Sequence, residues 1–235
     1  MAKISKKSEN VEAMFNGIAS KYDLLNHLLS FGIDKSWRRR LVRQLGRQKP
    51  DKVLDVATGT ADLAIQLAYR LPSVSIIGID ISEKMLRIGR SKVEKRGISS
   101  VRLVQANSME IPFGDGAFDA VMVAFGVRNF EDLPKGLSEI YRVLKTGGCL
   151  YVLEFSIPDK FPVANVFRFY FRRILPWFGR IVSGSYDAYT YLPESVATFP
   201  EKEKFLGIMA HAGFRDCSYQ RVTFGIASIY VGFKI

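Results

Sequence analysis

The stretch Lys52 to Asp62, KVLDVATGTAD, constrains this chain more than any other. Val53, Leu54 and Val56 form an apolar β-branched run of strand length, bounded by the small-residue turn Ala57 to Ala61. Such a run without alternation reads as a strand buried on both faces. Asp62 then opens a helix whose apolar positions Leu63, Ile65, Leu67, Ala68 and Leu71 follow. A strand, turn and helix of this kind present Asp55 at the carboxyl end of the strand. They also bring backbone N–H groups and Thr60 to a ligand at the helix N-terminus.

The glycine count narrows the ligand. A dinucleotide fold needs G-x-G-x-x-G at this turn, so that backbone can approach a pyrophosphate. Here only Gly59 is present, and no Gly-Lys-Ser/Thr follows to make a phosphate-binding P-loop. S-adenosylmethionine, which carries no phosphate, remains. It needs an anchor for its amino acid, an acceptor for its ribose hydroxyls and a slot for adenine.

The rest of the chain supplies these at strand ends. From Lys52 onward strand and helix patterns alternate: SIIGID (75–80), a helix over 82–97 with Ser82 as N-cap and a glycine close, VRLVQA (101–106), FDAVMVAFG (118–126), a helix over 133–148 closed by two glycines, and CLYVLEFS (149–156). Alternation predicts a parallel sheet with helices on both faces. A helix over 201–214 and two strands within 217–235, joined near Phe224-Gly225, predict an antiparallel ending, so the fold expected is a Rossmann-like mixed sheet. Asp80 at the second strand end can accept both ribose hydroxyls; Asn107 and Ser108 follow the third, with Met85 or Met109 as apolar walls for adenine; Asp55, Gly59 and Thr60 take the amino-acid end. One acidic strand end means little alone, since helix caps produce it too; the ordered set carries the argument.

Length and charge bound the remainder. At 235 residues the chain makes one domain with a helical cap (1–50), a cofactor-binding core (51–156), an insertion (157–200) and a C-terminal helix and hairpin (201–235). The formal charge of +11 lies in the flanks: Lys and Arg number 11 against 4 acids in residues 1–50, 13 against 13 in 51–155, and 10 against 6 in 156–235. The basic run Lys35 to Arg43 reads as a solvated helix face, with Trp37 raising the case for an anionic contact. The insertion FPVANVFRFYFRRILPWFGRIVS interleaves aromatics with arginines, and on a helix Asn165, Arg168 and Arg172 share one face. It reads either as a lid on the core or as an interfacial helix dipping into lipid. Cys149 and Cys217 do not form a spaced ligand set, so neither a disulfide framework nor a metal site is expected, and His27 and His211 read as structural or solvated. MAKISKKSEN lacks the apolar core of a signal peptide, and no run of eighteen uncharged apolar residues exists.

Several segments together carry a resemblance. KYDLLNHLLSFGIDKSW (21–37) and RVLKTGGCLYVLEFS (142–156) resemble the two signatures of the ubiquinone/menaquinone C-methyltransferases, and QANSMEIPF, AFGVRNF (124–130) and SYDAYTYLPES (185–195) extend the match over nearly the whole chain. The resemblance implies a class I methyltransferase fold and methyl transfer from S-adenosyl-L-methionine to a ring carbon of a prenylated quinol, with demethylmenaquinol first and the benzoquinol of ubiquinone synthesis as the alternative. It places cofactor contacts on Thr60, Asp80, Asn107 and Ser108, and associates Arg128, Asn129 and Tyr22 with catalysis. Because guanidinium does not normally lose its proton, Arg128 is expected to hold an oxyanion while Asn129 or Tyr22 places a water that takes the proton, the competing role being a pair with Glu131. Departures from the pattern are Leu25 for Met, Asp34 for His, Thr146 for Pro, Ala124 for Ser and Ala61 for Gly. The expected setting is cytoplasmic and peripheral on an anionic membrane surface, with other quinone-biosynthesis enzymes as further partners. Two rival classes stay open: a nucleic-acid methyltransferase, permitted by charge but lacking a base pocket motif, and a non-catalytic cofactor-binding subunit.

Overall fold

The structure, a computed structural model, describes residues 7–29, 32–170, 173 and 186–235, apart from the side chains of 20–29 and 186–190. Its centre is a seven-stranded sheet in the order β3-β2-β1-β4-β5-β7-β6. The strands are β1 (Lys52–Val56), β2 (Ser75–Asp80), β3 (Val101–Gln105), β4 (Phe118–Ala124), β5 (Leu144–Phe155), β6 (Arg215–Val222) and β7 (Ala227–Phe233). β1 pairs in parallel with β2 and β4, and β7 runs antiparallel between β5 and β6. The chain moves outward from β1 to β3, then returns to start β4 on the other side of β1. That reversal opens a crevice at the carboxyl ends of β1 and β4, where open α/β sheets bind ligands.

Helices α1 (Ser8–Leu29), α2 (Ile33–Leu45), α3 (Asp62–Arg70), α4 (Glu83–Lys95), α5 (Leu133–Val143), α6 (Val163–Phe169), α7 (Tyr186–Thr198) and α8 (Glu203–His211) cover the sheet. Strand alternation divides the core into two layers. Val53, Ile76 and Met122 join Trp37, Leu41, Leu67 and Leu86 on one face. Leu54, Val56 and Val121 join Leu137, Ile140, Phe205 and Tyr230 on the other.

Local chemistry sets the ends of these elements. Ser82 caps α4, its Oγ accepting from Met85 N at 3.2 Å, and Gly97 follows the helix at φ 63°. Asp132 caps α5 by accepting from Lys135 N at 2.9 Å, with Pro134 in the first turn where its missing N–H costs nothing. Two expectations are corrected here. The helix expected over 133–148 ends at Val143, because Leu144 turns extended (φ −73°, ψ 140°) and begins β5 at once. Gly147 and Gly148 therefore do not terminate a helix: Gly147 N donates to Lys234 O and Lys234 N to Gly148 O, and a Cβ on Gly148 would stand 2.8 Å from Lys145 O.

The second correction concerns the basic run. α2 buries Trp37, Arg38, Leu41, Val42 and Leu45, so the face read as solvated is half core. The apolar members contribute roughly 2 kcal/mol each. Arg38 can follow them inside because Asp34, one turn earlier, is buried with it and forms an ion pair with its guanidinium. The guanidinium also lies over the Phe125 ring, 5.4 Å from its centroid. The break between α1 and α2 falls at Gly32, which takes φ 72°, as the reading near Phe31-Gly32 anticipated.

In the insertion, Arg168 Nη2 donates to Asn165 Oδ1 at 3.0 Å, the shared face expected of a helix. Arg172 lies outside the described residues. Among the described residues no helix is long and apolar enough to cross a membrane. Nor do they contain a cluster of His, Cys, Asp and Glu able to hold a metal ion.

Candidate cofactor and substrate site

An open cleft lies over the carboxyl ends of β1 to β4. Its floor and walls include Gly59, Asp80, Met85, Asn107, Ser108, Met109, Ala124 and Asn129, and its roof is Ser8, Val11 and Phe15 of α1. Gly59, Asp80, Asn107, Ser108 and Asn129 thus meet in one cleft, from four different strand ends. The roof was not legible in the sequence. Ser8 donates to Glu131 Oε2 through its N (2.9 Å) and its hydroxyl (2.8 Å), Asn107 Nδ2 donates to Ser8 Oγ at 3.4 Å, and Ser82 Oγ donates to Asn16 Oδ1 at 2.7 Å. These bonds tie α1 to the loops after β2, β3 and β4.

Asp80 organises the floor. Its Oδ2 accepts from Gly59 N at 2.8 Å and its Oδ1 from Ser82 N at 2.9 Å. The Ile81 N–H also acts on this carboxylate, whose roughly four acceptor sites still leave room for a ligand hydroxyl. Burial raises its pKa, and the N–H donors of Ser82 and Gly59 oppose that shift. Gly59 takes φ 56°, and a Cβ there would meet only Met85 Cε at 3.7 Å. Its glycine serves the left-handed backbone, which costs a non-glycine residue roughly 1–2 kcal/mol. Ala57 (φ 54°), Ala61 (φ 65°) and Phe125 (φ 58°) carry that strain at the rim of the same crevice. Strain concentrated at strand ends is a mark of functional sites.

Asp55 and Thr60 line a smaller adjoining pocket with Arg38, Thr58 and Asp62. Asp55 is 1% exposed, and Thr58 Oγ1 donates to its Oδ2 at 2.6 Å. Burial pushes its carboxyl up to about 7, against the lowering pull of the Thr58 bond and the Arg38 charge. Thr60 Oγ1 accepts from Lys92 Nζ at 2.9 Å, and the same ammonium lies 2.7 Å from Asp62 Oδ1. The sequence reading named Asp55 and Thr60 but missed Arg38 and Lys92. The i, i+4 spacing of Asp34 and Arg38 was the available signal for the first.

Arg128 sits on the single 3₁₀ turn Val127–Asn129 after β4 and is 6% exposed. Its Nη1 donates to Phe125 O at 2.5 Å and to Glu154 Oε1 at 2.8 Å. Its carboxylate partner is therefore Glu154 of β5, and Glu131 is engaged by Ser8. Asn129 Oδ1 accepts from the Tyr191 hydroxyl of α7 at 3.1 Å. Tyr22 lies on α1, and its side chain falls outside the described residues. Glu154 and Tyr191 were both overlooked in the sequence although each stands inside a quoted motif.

Solved structures with the same fold include a SAM-dependent methyltransferase from Thermotoga maritima (TM-score 0.68, 17% identity, 95% of this chain and 99% of that one). Another is the [4+2]-cyclase SpnF (TM-score 0.71, 17% identity, 100% and 99%). At these identities the likeness concerns the fold alone, which hosts different chemistries. Sequence relatives are nearer. The demethylmenaquinone methyltransferase of Thermus thermophilus is 51% identical over 219 residues, 93% of this chain and 99% of the relative. That of Bacteroides fragilis is 46% identical over 230 residues, 97% and 94%. The ubiquinone/menaquinone biosynthesis C-methyltransferase of Geobacter sp. strain M21 is 47% identical over 236 residues, the full length of both. The family model described as the ubiE/COQ5 methyltransferase family matches residues 3–234, so the chain belongs to that family.

Proposed function

We propose that this chain is an S-adenosyl-L-methionine-dependent C-methyltransferase acting on the ring of a prenylated quinol, with demethylmenaquinol as the first substrate. The observation that carries the reading is the cleft itself: a ribose acceptor, an adenine wall and a zwitterion pocket, each at its own strand end, in a chain of this family.

The residues present fit the cofactor. The remaining acceptor capacity of the Asp80 carboxylate suits a ribose hydroxyl, Asn107 and Ser108 offer polar edges beside Met85 and Met109, and nothing in the turn at Gly59 asks for a phosphate. The smaller pocket sets the cation Arg38 beside the carboxyls of Asp55 and Asp62, a complement to an amino acid's own two charges. Gly59 borders both, and Thr60 borders the smaller pocket. When bound, the cofactor supplies an electrophilic methyl group on a sulfonium. The chain must then hold an ionised ring hydroxyl, exclude water and take up one proton. Asn129 borders the cleft where the ring must reach, with Arg128 beside it and Tyr22 on the roofing helix.

The substrate's isoprenoid tail requires access from a bilayer. α6 and the residues just before it support this: the helix buries Ala164 and Phe167, while Phe161, Val166 and Phe169 are exposed at 83%, 66% and 61% beside Lys160 and Arg168. Apolar side chains flanked by cations suit an anionic lipid surface. Co-sedimentation with anionic vesicles, weakened by salt and by Phe161→Ser with Phe169→Ser, is expected; binding indifferent to both changes counts against it. Association with other quinone-biosynthesis enzymes belongs to the same reading, and co-purification from membranes would test it.

The reaction is tested by incubating the protein in detergent with methyl-labelled cofactor and each demethylated quinol. Label is expected in the naphthoquinol ring. Label only in the benzoquinol would favour the ubiquinone alternative, and label in neither would refute the activity.

A further inference from the structure

Asn129 borders the cleft, whereas Arg128, the residue expected to hold the oxyanion, does not. Arg128 Nη1 is spent on Phe125 O and Glu154 instead. We propose that the Asn129 amide holds the ionised ring oxygen through its Nδ2 edge, and that Tyr191 of α7 is the positioning residue that keeps the amide turned that way. The inference rests on the quinol-methylating reading above and deepens it.

The orientation of the amide follows from its two neighbours. Asn129 Nδ2 donates to Phe125 O at 3.5 Å, and Asn129 Oδ1 accepts from the Tyr191 hydroxyl at 3.1 Å. A backbone carbonyl can only accept, so Phe125 O fixes which edge of the amide carries the nitrogen. Phe125 is itself constrained, by a left-handed backbone (φ 58°) and by its N–H, which donates to Leu153 O at 2.8 Å. The Asn129 backbone is fixed too, its N–H donating to Gly126 O at 2.9 Å.

The two edges face different surroundings. Phe125 borders the cleft and Tyr191 does not, so the nitrogen edge is the one on the cleft side. Nδ2 carries two N–H groups, and Phe125 O takes one. The other suits an anionic oxygen, and a donor fixed in advance where charge develops is a strong form of transition-state support.

Tyr191 has the properties a holder needs. It is buried, and burial raises its pKa; among the described residues, the charge of Arg128 lowers it and that of Glu154 raises it. It therefore remains a neutral hydroxyl with a proton to donate through the neutral pH range. Without that proton on Oδ1 the amide can turn over and set its oxygen against the ring oxygen, a repulsive contact.

Neither residue gains or loses a proton. The sulfur keeps the electron pair of the S–C bond, the ring supplies the pair for the new C–C bond, and the displaced ring proton passes to water.

The test is the single-turnover rate of methylation of the demethylated naphthoquinol across pH, at saturating enzyme. The variants are Tyr191→Phe, Asn129→Ala, Asn129→Asp and the double variant Tyr191→Phe with Asn129→Ala. In wild type the rate is expected to rise with pH as the bound quinol hydroxyl ionises. In Y191F it should fall about 10-fold while the half-saturating enzyme concentration stays within about threefold. Its midpoint should move up by about one pH unit, because the ionised quinol has lost support. N129A is expected to be about 10²-fold slower than wild type. N129D, which puts an anionic oxygen in place of Nδ2, should be slower still. In the N129A background Y191F should change the rate less than about twofold, since Tyr191 acts through Asn129. A wild-type rate flat with pH overturns the proposal, as does a Y191F enzyme with the wild-type profile. So does a Y191F effect equally large in the N129A background, or an N129D enzyme faster than N129A; the last comparison decides if Y191F fails to fold. Wild type that methylates neither quinol overturns the functional reading and this proposal with it.

Discussion

Gly78 is the most informative single position for testing how the cofactor turn is held. It lies buried in the middle of β2, paired with Asp55 of β1 on one side and Leu103 of β3 on the other. A Cβ there would stand 2.6 Å from Leu103 Cδ2, 2.8 Å from Thr58 Oγ1 and 3.0 Å from Thr58 Cγ2. The leucine tip can rotate, but Thr58 cannot move freely. Its hydroxyl donates to Asp55 at 2.6 Å and its N–H to Ile79 O at 2.9 Å. Gly78→Ala must therefore push Thr58 off Asp55. Overpacking costs roughly 1–3 kcal/mol and losing a hydrogen bond to a charged group roughly 1.5–3 more, so the expected destabilisation is about 3–5 kcal/mol. For a domain of this size that lowers Tm by about 10 °C. The assay is denaturant unfolding of Gly78→Ala, Thr58→Ala and the double variant. Because the clash needs Thr58, the double variant should recover at least about 1 kcal/mol relative to the sum of the singles. A Gly78→Ala protein within about 1 kcal/mol of wild type, or strict additivity, would refute the claim that Thr58 is pinned between β2 and Asp55.

Three further expectations follow from the same crevice. Asp55 has a native pKa of about 7 against roughly 3.9 in an unfolded chain, so its protonation stabilises the fold fully below pH 4, and that contribution is lost as pH rises through 7. Between pH 5 and pH 8 wild type should lose about 2–3 kcal/mol relative to Asp55→Asn at 1.36 kcal/mol per unit, and parallel pH profiles of the two proteins would contradict this. Asp80→Asn offers an amide N–H where Gly59 or Ser82 needs an acceptor, so cofactor affinity measured by calorimetry should fall about 10-fold or more, and an unchanged Kd would remove Asp80 from the ribose site. Ser82→Ala deletes the cap on Met85 N and the bond to Asn16 together; a loss of about 1–2 kcal/mol with faster proteolysis inside α1 is expected, and equal proteolysis would show that Asn16 does not need Ser82.

Much of this molecule was readable from local pattern. The β1 turn, the parallel strands and the acid at the end of β2 are written in short runs whose period and punctuation act within a few residues. The misreadings have a common physical origin. Gly147 and Gly148 looked like a helix stop because the sequence does not display Lys234, the residue 87 positions after Gly147 whose backbone pairs with them. Arg38 looked solvated because the Phe125 ring and the core beneath α2 come from elsewhere in the chain. The pairing of Arg128 with Glu154 spans 26 residues and two elements, so sequence alone suggested the nearer Glu131. Pairings made by the fold, as opposed to those within one element, stay hidden until the sheet order is known.

The roof over the cleft has a kinetic consequence. α1 reaches the strand-end loops through four hydrogen bonds at Ser8 and Asn16, two of them at exposed positions, and Val11 and Phe15 add apolar contact. Such bonds contribute roughly 1 kcal/mol each, so lifting the start of this helix costs less than opening the sheet beneath it. The seven strands beneath can stay rigid while that happens. Entry and departure at the cleft are then timed by a helix held from above the sheet, and hydrogen exchange should find its amides opening before those of α4. Exchange rates at the cleft and the strength of the core can therefore vary independently in this chain.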